Sequence, residues 1–367
     1  MWRLDHEESE VELVLDEGTI YAGREERPLH EIEIELKRGD PGAVLDLARR
    51  LAERVPLRLG VLSKVERGFA LAEGRLDKVS KAAPVEVDAR MDVAEGFRAI
   101  VNACLRHFRL NERLVTERRE AEALHQARVA MRRLRSAFSL FRPAIRDDRY
   151  DALREELRWF TGTLGDARNL DVFLTRKAGE GVALDQEALL AAREWAYDQV
   201  VGALDSQRFR DLMLELVVWL EAGDWRGRRK ARAPLGEFAE ERLDRLWRKV
   251  RDGGRELESL EEEERHRLRI EVKKLRYAVE FLAGLYRSAA PAQKRYAAAL
   301  EGMQESLGHL NDIATARELI GRLGLAHAEQ EPAAADPDEE RRHLGDAAEY
   351  FQRLGQVGPF WRQASSA

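Results

Sequence analysis

A histidine and four arginines share one short segment of this chain, HQARVAMRRLRSAFSLF, which begins at His125 and contains no acidic residue. On a helix that turns about 100° per residue, His125, Arg128, Arg132 and Arg135 fall within an arc of roughly 80°. Guanidinium groups bind phosphate oxygens through a planar pair of donors. Like charges three or four residues apart destabilise an isolated helix. The pattern therefore predicts a helix face that needs an anion.

The same pattern occurs a second time along the chain. The segment HRLRIEVKKLRYAVEFL begins at His266, 141 residues after His125. The anion that balances each face is either a carboxylate from the other half of the chain or a bound polyanion. We favour the polyanion, because unbalanced charge stripes mark interaction sites more often than stabilising contacts. The matched basic positions are Arg128 with Arg269, Arg132 and Arg133 with Lys273 and Lys274, and Arg135 with Arg276.

Two further segments supply candidate supporting groups, LGDARNLD at 164–171 and LGHLND, which ends two residues after Leu310. Asp171 and Asp312 are candidates to pair with the arginines, and Asn169 and Asn311 are candidates to donate to an anion. Glycine followed by aspartate or asparagine also often marks a kink or a helix end. We interpret these residues as groups that orient the basic side chains.

Metal binding and catalysis are not expected in the helical part of the chain. Neither His125 nor His266 has the HxxxH or HExxH spacing of a metal site, and an arginine three residues later would repel a cation. We therefore predict no metal and no cofactor there. The helical part also lacks an acid–base pair, which predicts that the protein is not an enzyme. Cys104 belongs to no paired motif and is predicted to lie in the core.

A second charged pattern lies near the start of the chain. EIEIELK places Glu31, Glu33, Glu35 and Lys37 on one face of a strand. Alternating carboxylates with a lysine can hold a divalent ion and a phosphate. The alternative is the solvated outer face of an antiparallel strand, and we favour it for so small a unit.

Composition limits the classes of protein to consider. The 367 residues carry a net charge of -6, with 35% charged and 44% hydrophobic residues, as in a well-solvated globular protein. A slightly acidic chain argues against broad nucleic-acid binding, and one cysteine excludes an intramolecular disulfide. The run LMLELVVWL is too short to span a bilayer, and the start MWRLDHEESE lacks the apolar core of a signal peptide. We expect a cytoplasmic protein that does not bind membranes.

The fold class predicted from periodicity is mainly α, with two pseudo-symmetric four-helix bundles preceded by a small α+β unit. In residues 1–75, SEVELVL, TIYAG and HEIEIELK alternate as antiparallel strands, with a turn at DEG. DPGAVLDLARRLAERV predicts a helix, and SKVERGFAL a fourth strand. Residues 76–92 are predicted as a linker. Residues 93–357 are predicted to be helical, with halves of about 93–205 and 234–357 and a bridging helix at about 206–222.

Residues 93–357 resemble a CHAD domain, the conserved histidine α-helical domain. The resemblance rests on the two basic segments quoted above, on LGDARNLDVFL and on LGHLNDIATA. It implies two pseudo-symmetric four-helix bundles around a basic pore that binds inorganic polyphosphate without catalysis. Carried over by position, the polyphosphate-binding residues are His125, Arg128, Arg132, Arg133, Arg135, His266, Arg269, Lys273, Lys274 and Arg276.

Residues 9–70 are similar to the second half of a CYTH domain, also called the triphosphate tunnel fold. EIEIELKRGDPGAVLDLARRLAE and SKVERGF carry this similarity. The strands of the first half of that fold are absent, so the tunnel of the family cannot close. The similarity therefore predicts no triphosphate hydrolysis by this unit.

The function predicted from the sequence is non-catalytic binding of inorganic polyphosphate in a basic cleft between two helical halves, with targeting to polyphosphate granules as a further hypothesis. The alternative is a metal-dependent triphosphatase or polyphosphatase of the tunnel class, which would depend on Glu33 or Glu35. Nucleic acid is not expected, because the stripe has only Tyr277 nearby for base stacking. A structural adaptor would require an acidic partner helix.

Overall fold

The N-terminal unit is a three-stranded antiparallel sheet with two helices. In the computed structural model, which describes residues 1–180, 186–323 and 337–363, the three strands pair in their order along the chain. Val11 on the central strand is fully buried. The side chains described are those of residues 1–175, 186–310 and 338–362. The elements are β1 (Trp2–His6), β2 (Ser9–Ala22), β3 (Glu25–Arg38), α1 (Pro41–Ala52) and α2 (Lys64–Ala72).

Two predictions about this unit were wrong. The expected turn at DEG lies inside β2, where Gly18 pairs with Leu29, and the hairpin loop is formed by Gly23 and Arg24. Gly23 has a φ of 66°, and two-residue hairpins need such a positive φ. The segment SKVERGFAL is the helix α2 and not a fourth strand. Ser63 and Glu66 form a capping box at its start, which fixes the beginning of a helix.

The rest of the described chain is helical, as predicted. Its core is built from aromatic residues of several helices: Phe97 contacts Phe138, Trp219 and Trp225 at centroid distances of 5.5 to 5.9 Å. No helix of the described residues is both long enough and apolar enough to cross a membrane. The helices are α3 (Val93–Arg118), α4 (Ala121–Ile145), α5 (Tyr150–Glu180), α6 (Gln186–Asp205), α7 (Gln207–Ala222), α8 (Leu235–Gly253), α9 (Glu262–Phe281), α10 (Ala290–Leu323), α11 (Pro337–Val357) and α12 (Phe360–Gln363), with short 3-10 turns at Asp224–Gly227, Leu257–Ser259 and Ala283–Ala289.

The segment predicted as a linker, residues 76–92, is packed onto the helical part. It has almost no regular structure, yet Val87 is only 1% exposed and Val85 is buried with it in the helical core. The backbone of Ser80 is held by Asn111 of α3, which donates from Nδ2 to the Ser80 carbonyl at 2.9 Å. The segment that joins the N-terminal unit to the helical part is therefore itself packed against the helices.

Ion pairs also join the N-terminal unit to the helices. Arg49 of α1 donates to Glu215 of α7 at 2.5 Å, and Arg149, just before α5, pairs with the same carboxylate. Asp77 accepts from Arg27 of β3 at 2.6 Å and also pairs with Arg113 of α3. Helix α1 packs on both β3 and α7. These contacts fix the sheet on the helical part.

Four helices of the helical part form a closed ring of contacts: α4 packs on α5, α5 on α10, α10 on α9, and α9 on α4. Equivalent helices of the two halves begin at nearly the same separation along the chain. Ala121 begins α4 and Glu262 begins α9, which is the offset of 141 that separates His125 from His266. Each histidine is thus the fifth residue of its helix.

Candidate functional site

The basic stripe of the first half lies on α4 as predicted. His125, Arg128 and Arg132 are half-buried, and Arg135 is more exposed. The opposite face of α4 is apolar, because Leu134, Phe138 and Phe141 are completely buried and anchor the helix in the core. The period of the helix therefore separates a packing face from a cationic one.

Helix α5 adds three arginines that the sequence reasoning missed. Arg168 lies near His125 and contributes to lowering the pKa of this imidazole. Arg154 and Arg158 lie near Arg135 and contribute to lowering the pKa of its guanidinium. Partial burial, followed by the charges of Arg158 and Arg154, lowers the pKa of the Arg135 guanidinium. The signal in the sequence was weak, because Arg154 and Arg158 are flanked by acids that make them resemble a solvated helix face.

A glycine on α5 leaves room for the stripe. A methyl group in place of the Gly165 hydrogen would lie 3.6 Å from Nη2 of Arg128, so the guanidinium lies directly against the α5 backbone. This glycine belongs to the LGDARNLD segment, which was predicted to orient basic side chains. Arg128 is therefore placed in the groove between α4 and α5.

The electrostatics of this groove are strongly positive. Burial, and then the positive charges of Arg168, Arg132 and Arg128, lower the pKa of His125 from 6.5 to about 4. The imidazole is therefore neutral at pH 7 and can both donate and accept a hydrogen bond. A bound anion would offset the effect of the arginines on this pKa.

The environment of Arg132 points to a ligand. Its Nε is buried and has no hydrogen-bond partner within the described part of the chain. Buried polar groups in native proteins are nearly always hydrogen-bonded, so an exception calls for a functional explanation. An anion in the groove would supply the missing acceptor.

The stripe of the second half lies on α9. His266 is exposed, and Arg269, Lys273 and Arg276 are half-buried. Arg276 donates from Nε to Gln304 of α10 at 2.9 Å, so this stripe faces α10 as the first stripe faces α5. Lys274 lies off the stripe and pairs with Glu271 at 2.6 Å.

Two of the predicted ligand residues are held by a carboxylate inside the protein. Arg133 has a side chain that is 9% exposed, and it pairs with Glu280 of α9 at 2.9 Å across the contact between α4 and α9. Arg276 pairs with the same carboxylate. The guanidinium of Arg133 also lies 5.2 Å from the centre of the Phe281 ring. For Arg133 the carboxylate comes from the other half, which was the alternative to the polyanion, whereas Arg276 and Glu280 lie four residues apart on the same helix.

One of the supporting residues, Asp171, has other partners than expected. Asp171 is buried and accepts from Arg193 and from the Tyr197 hydroxyl of α6, both at 2.8 Å, so it ties α5 to α6 and does not hold the stripe. Asn169 is half-buried on α5. The side chains of Asn311 and Asp312 lie outside the described residues.

The N-terminal acidic face holds a compact cluster. Carboxylate oxygens of Asp16, Glu31 and Glu33 lie within 4.8 Å of one another. The ammonium of Lys64 lies among them, at 2.6 Å from Asp16, 3.4 Å from Glu31 and 2.8 Å from Glu33. These contacts, the one with Asp16 first, raise the pKa of Lys64.

Glu35 and Lys37 do not join this cluster. Lys37 pairs with Glu35 at 2.9 Å and with Glu12 of β2 at 3.2 Å. The acidic face is largely exposed, as in the solvated strand face that we favoured, and of its four residues only Glu31 is half-buried. It carries a carboxylate triad of a kind that can hold a hard divalent cation, provided that Lys64 gives way.

Comparison with known proteins identifies the helical part. The CHAD domain model matches residues 99–321, within the predicted range 93–357. The crystal structure of the CHAD domain from the plant Ricinus communis is 30% identical, covers 79% of this chain and 96% of its own, and superposes with a TM-score of 0.59. PptA from Streptomyces chartreusis is 17% identical, covers 78% of this chain and 100% of its own, and has a TM-score of 0.44, too low to support an argument.

A curated relative corrects one prediction. An inorganic triphosphatase of Haemophilus influenzae is 31% identical over 107 residues, which are 29% of this chain and 30% of that protein. The expectation that this protein is not an enzyme is contradicted by this match, because the relative that shares these residues is an enzyme. The family model covers well over half of the chain and the Ricinus communis domain is matched over nearly its full length, so this chain belongs to the CHAD domain family.

Proposed function

We propose that this protein binds inorganic polyphosphate through the two basic stripes. The observation that carries the proposal is the groove between α4 and α5, where His125, Arg128, Arg132 and Arg168 come together and where the buried Nε of Arg132 has no acceptor among the described residues. Such a site requires an anion, and a row of guanidinium groups matches a row of phosphates.

A chain of phosphates fits the spacing better than a single phosphate does. Successive stripe positions on α4 and α9 are one helical turn apart, about 5.4 Å along each axis. The first stripe faces α5 and the second faces α10, within the ring of α4, α5, α10 and α9. We propose that one polyphosphate chain contacts both stripes inside this ring.

The structure narrows the proposed ligand set. Arg133 and Arg276 are committed to Glu280, and Lys274 to Glu271. We assign direct phosphate contact to His125, Arg128, Arg132, Arg135, His266, Arg269 and Lys273, with Arg168 as an addition from α5. Arg133 then joins the two halves through Glu280, and Arg276 helps to position this carboxylate.

The experiment is a calorimetric titration of the purified protein with long-chain polyphosphate, triphosphate, orthophosphate and a single-stranded RNA at two salt concentrations. We expect affinity in the order polyphosphate, triphosphate, orthophosphate, with RNA weaker than polyphosphate of equal charge. Binding should weaken with salt, because charges are screened beyond about 8–10 Å at physiological ionic strength. Equal affinity for RNA and polyphosphate would show that the stripes respond to charge alone and would refute the proposal.

A second candidate function is triphosphate hydrolysis at the N-terminal sheet. The cluster of Asp16, Glu31 and Glu33 beside Lys64 favours this location, and the partial similarity to an inorganic triphosphatase supports hydrolysis without locating it. A divalent cation held by the three carboxylates would neutralise charge on phosphate oxygens. Lys64, displaced from the carboxylates, would then be available to bind a phosphate.

This candidate is tested by measuring phosphate release from triphosphate with magnesium, with manganese and with a chelator. We expect metal-dependent release that is lost in Glu33→Gln and kept in Glu35→Gln, which lies outside the cluster. Equal rates in both variants would place any hydrolysis elsewhere. Polyphosphate binding by the helices should be unchanged in both, which separates the two functions.

Granule targeting follows from the first proposal. A fluorescent fusion should collect at polyphosphate granules in cells that form them and disperse when the stripe is reversed by Arg132→Glu. Collection that survives this change would mean that another part of the protein directs it.

A further inference from the structure

A second charged groove lies between α8 and α9, away from the stripe. Five of the side chains that line it are cationic, three are acidic, and one, Ile270, is apolar and 38% exposed. On α9 the stripe and this groove occupy different faces of the helix, since residues 267, 270 and 274 lie about 80° to 140° from the stripe centre. The lining residues are Glu241, Arg245, Arg248, Lys249, Asp252, Arg267, Ile270, Glu271 and Lys274.

The groove has positive charge left over after its internal pairing. Glu271 accepts from Lys249 at 3.2 Å and from Lys274 at 2.6 Å, so this carboxylate serves two cations. Three arginines of the lining remain, Arg245, Arg248 and Arg267, against the carboxylates of Glu241 and Asp252, and Arg267 also lies 3.8 Å from Glu264 outside the lining. Asp252 also pairs with Arg251 and Arg255 outside the groove lining, each at 3.1 Å. The groove is therefore suited to a partner that brings negative charge.

The first half shows what covers the corresponding groove. Subtracting the offset of 141 converts the nine lining positions into positions on α3 and α4. All of these except Val129 are buried, and the groove there is closed. The corresponding residues are Ile100, Cys104, His107, Phe108, Asn111, Gln126, Val129, Ala130 and Arg133.

The cover of that first groove is a segment of the chain itself, residues 77–87, which has almost no regular structure. Asn111 holds the backbone of Ser80 on both sides: its Oδ1 accepts from the Ser80 amide at 3.0 Å and its Nδ2 donates to the carbonyl at 2.9 Å. Nε2 of His107 lies 3.1 Å from the same carbonyl and 3.2 Å from Gln126 of α4. Val85 and Val87 then enter the core.

The residues at the matching positions of the second groove can make part of these backbone contacts. Asp252 stands where Asn111 stands, and a carboxylate accepts an amide N–H. Arg248 stands where His107 stands, and a guanidinium donates to a carbonyl. The mixture of carboxylates and cations in the groove favours a peptide over a polyphosphate. The carboxylates would repel a continuous row of phosphates, whereas they can accept hydrogen bonds from the N–H groups of a peptide backbone.

We propose that the groove between α8 and α9 binds an extended acidic peptide segment of a partner protein. The segment lies as residues 77–87 lie in the first half, its backbone held by Asp252 and Arg248 and its acidic side chains by Arg245 and Arg267. The site is separate from the polyphosphate stripes. It gives the protein a means to dock a second protein while polyphosphate is bound.

The test uses two labelled peptides. One has the sequence of residues 77–87, DKVSKAAPVEV, and the other carries glutamate at both lysine positions, which changes its net charge from 0 to -4. Binding is measured by fluorescence anisotropy and by the methyl NMR signal of Ile270 in the groove. We expect the acidic peptide to bind at least about tenfold more tightly than the neutral one and to shift the Ile270 signal.

Charge-reversal variants test whether the peptide binds in this groove. Arg245→Glu with Arg248→Glu should weaken the acidic peptide by about tenfold or more, since two attractions become repulsions. The control, Arg229→Glu with Lys230→Glu, makes the same change of charge on an exposed loop and should have little effect. Equal affinity for both peptides, no shift at Ile270, or equal loss in both variants would overturn the proposal.

A competition experiment with polyphosphate distinguishes this proposal from the proposed polyphosphate binding by the stripes. A short polyphosphate that displaces the peptide and shifts Ile270 would show that the groove is an extension of the polyphosphate site and would also overturn the proposal. The stripe variant Arg132→Glu should leave peptide binding intact even if polyphosphate binding is lost, so the two proposals can fail separately.

Discussion

Replacing Glu280 by glutamine should destabilise the protein substantially, because this carboxylate joins the two helical halves. It pairs with Arg133 at 2.9 Å and also with Arg276, and the side chains of these arginines are only 9% and 17% exposed. Removing one partner of a buried ion pair costs about 3–5 kcal/mol because it leaves an uncompensated charge. Glutamine keeps one acceptor and Glu280 is itself 27% exposed. We therefore expect a loss of about 2–4 kcal/mol.

The measurement is urea unfolding of the wild type, Glu280→Gln and Arg132→Met, followed by circular dichroism. Arg132→Met serves as the comparison, because it removes a stripe cation whose buried Nε has no acceptor in the described structure. It should change the free energy of unfolding by less than about 1 kcal/mol, or raise it, since the empty stripe repels itself. The reasoning is refuted if Glu280→Gln unfolds like the wild type while Arg132→Met loses more than about 2 kcal/mol.

Four further results are expected. Stability should fall as the pH decreases from about 6.5 to about 4, because the folded state holds the His125 proton less tightly than the unfolded state, and unfolding curves of His125→Gln should lack this part of the loss. Polyphosphate binding near pH 5.5 should take up a proton at His125, so the heat of binding should depend on the ionisation enthalpy of the buffer and lose this component in His125→Gln. Burial raises the pKa of the Cys104 thiol to about 11, so iodoacetamide should modify it in urea and not in the folded protein at pH 8. Gly165→Ala should keep polyphosphate binding, because the added methyl group meets Arg128 at an ordinary contact distance of 3.6 Å, whereas Gly165→Glu should abolish binding by placing a carboxylate in the groove.

The sequence predicted the helix that carries the first stripe and the side of that helix that enters the core. A single helix has one period, so the positions of His125 and Phe138 on opposite faces follow from spacing alone. The role of Glu280 did not follow, because its contact with Arg133 joins residues 147 positions apart and depends on how α4 packs against α9. The two-fold relation of the halves stays a prediction that rests on the shared offset of 141.

The N-terminal unit shows the limits of short patterns. SKVERGFAL is too short for its period to decide between strand and helix, and the decisive signal was the capping box from Ser63 to Glu66. The carboxylate triad was only partly visible in the sequence. Glu31 and Glu33 belong to the alternating segment, but Asp16 joins them through the β2–β3 register, in which it pairs with Glu31.

The measurement that tests the central claim most directly is a calorimetric titration of long-chain polyphosphate into the wild type, Arg132→Glu, Lys273→Glu and the double variant. One ligand that bridges both stripes should lose affinity in each single variant and more in the double one, while circular dichroism shows all four proteins folded. Affinity of the wild type should rise with chain length until both stripes are occupied, because the second contact becomes intramolecular. The control Arg229→Glu with Lys230→Glu should bind almost as the wild type does. If the wild type does not bind polyphosphate and the double variant unfolds, the stripes are internal ion-pair partners and the account is wrong.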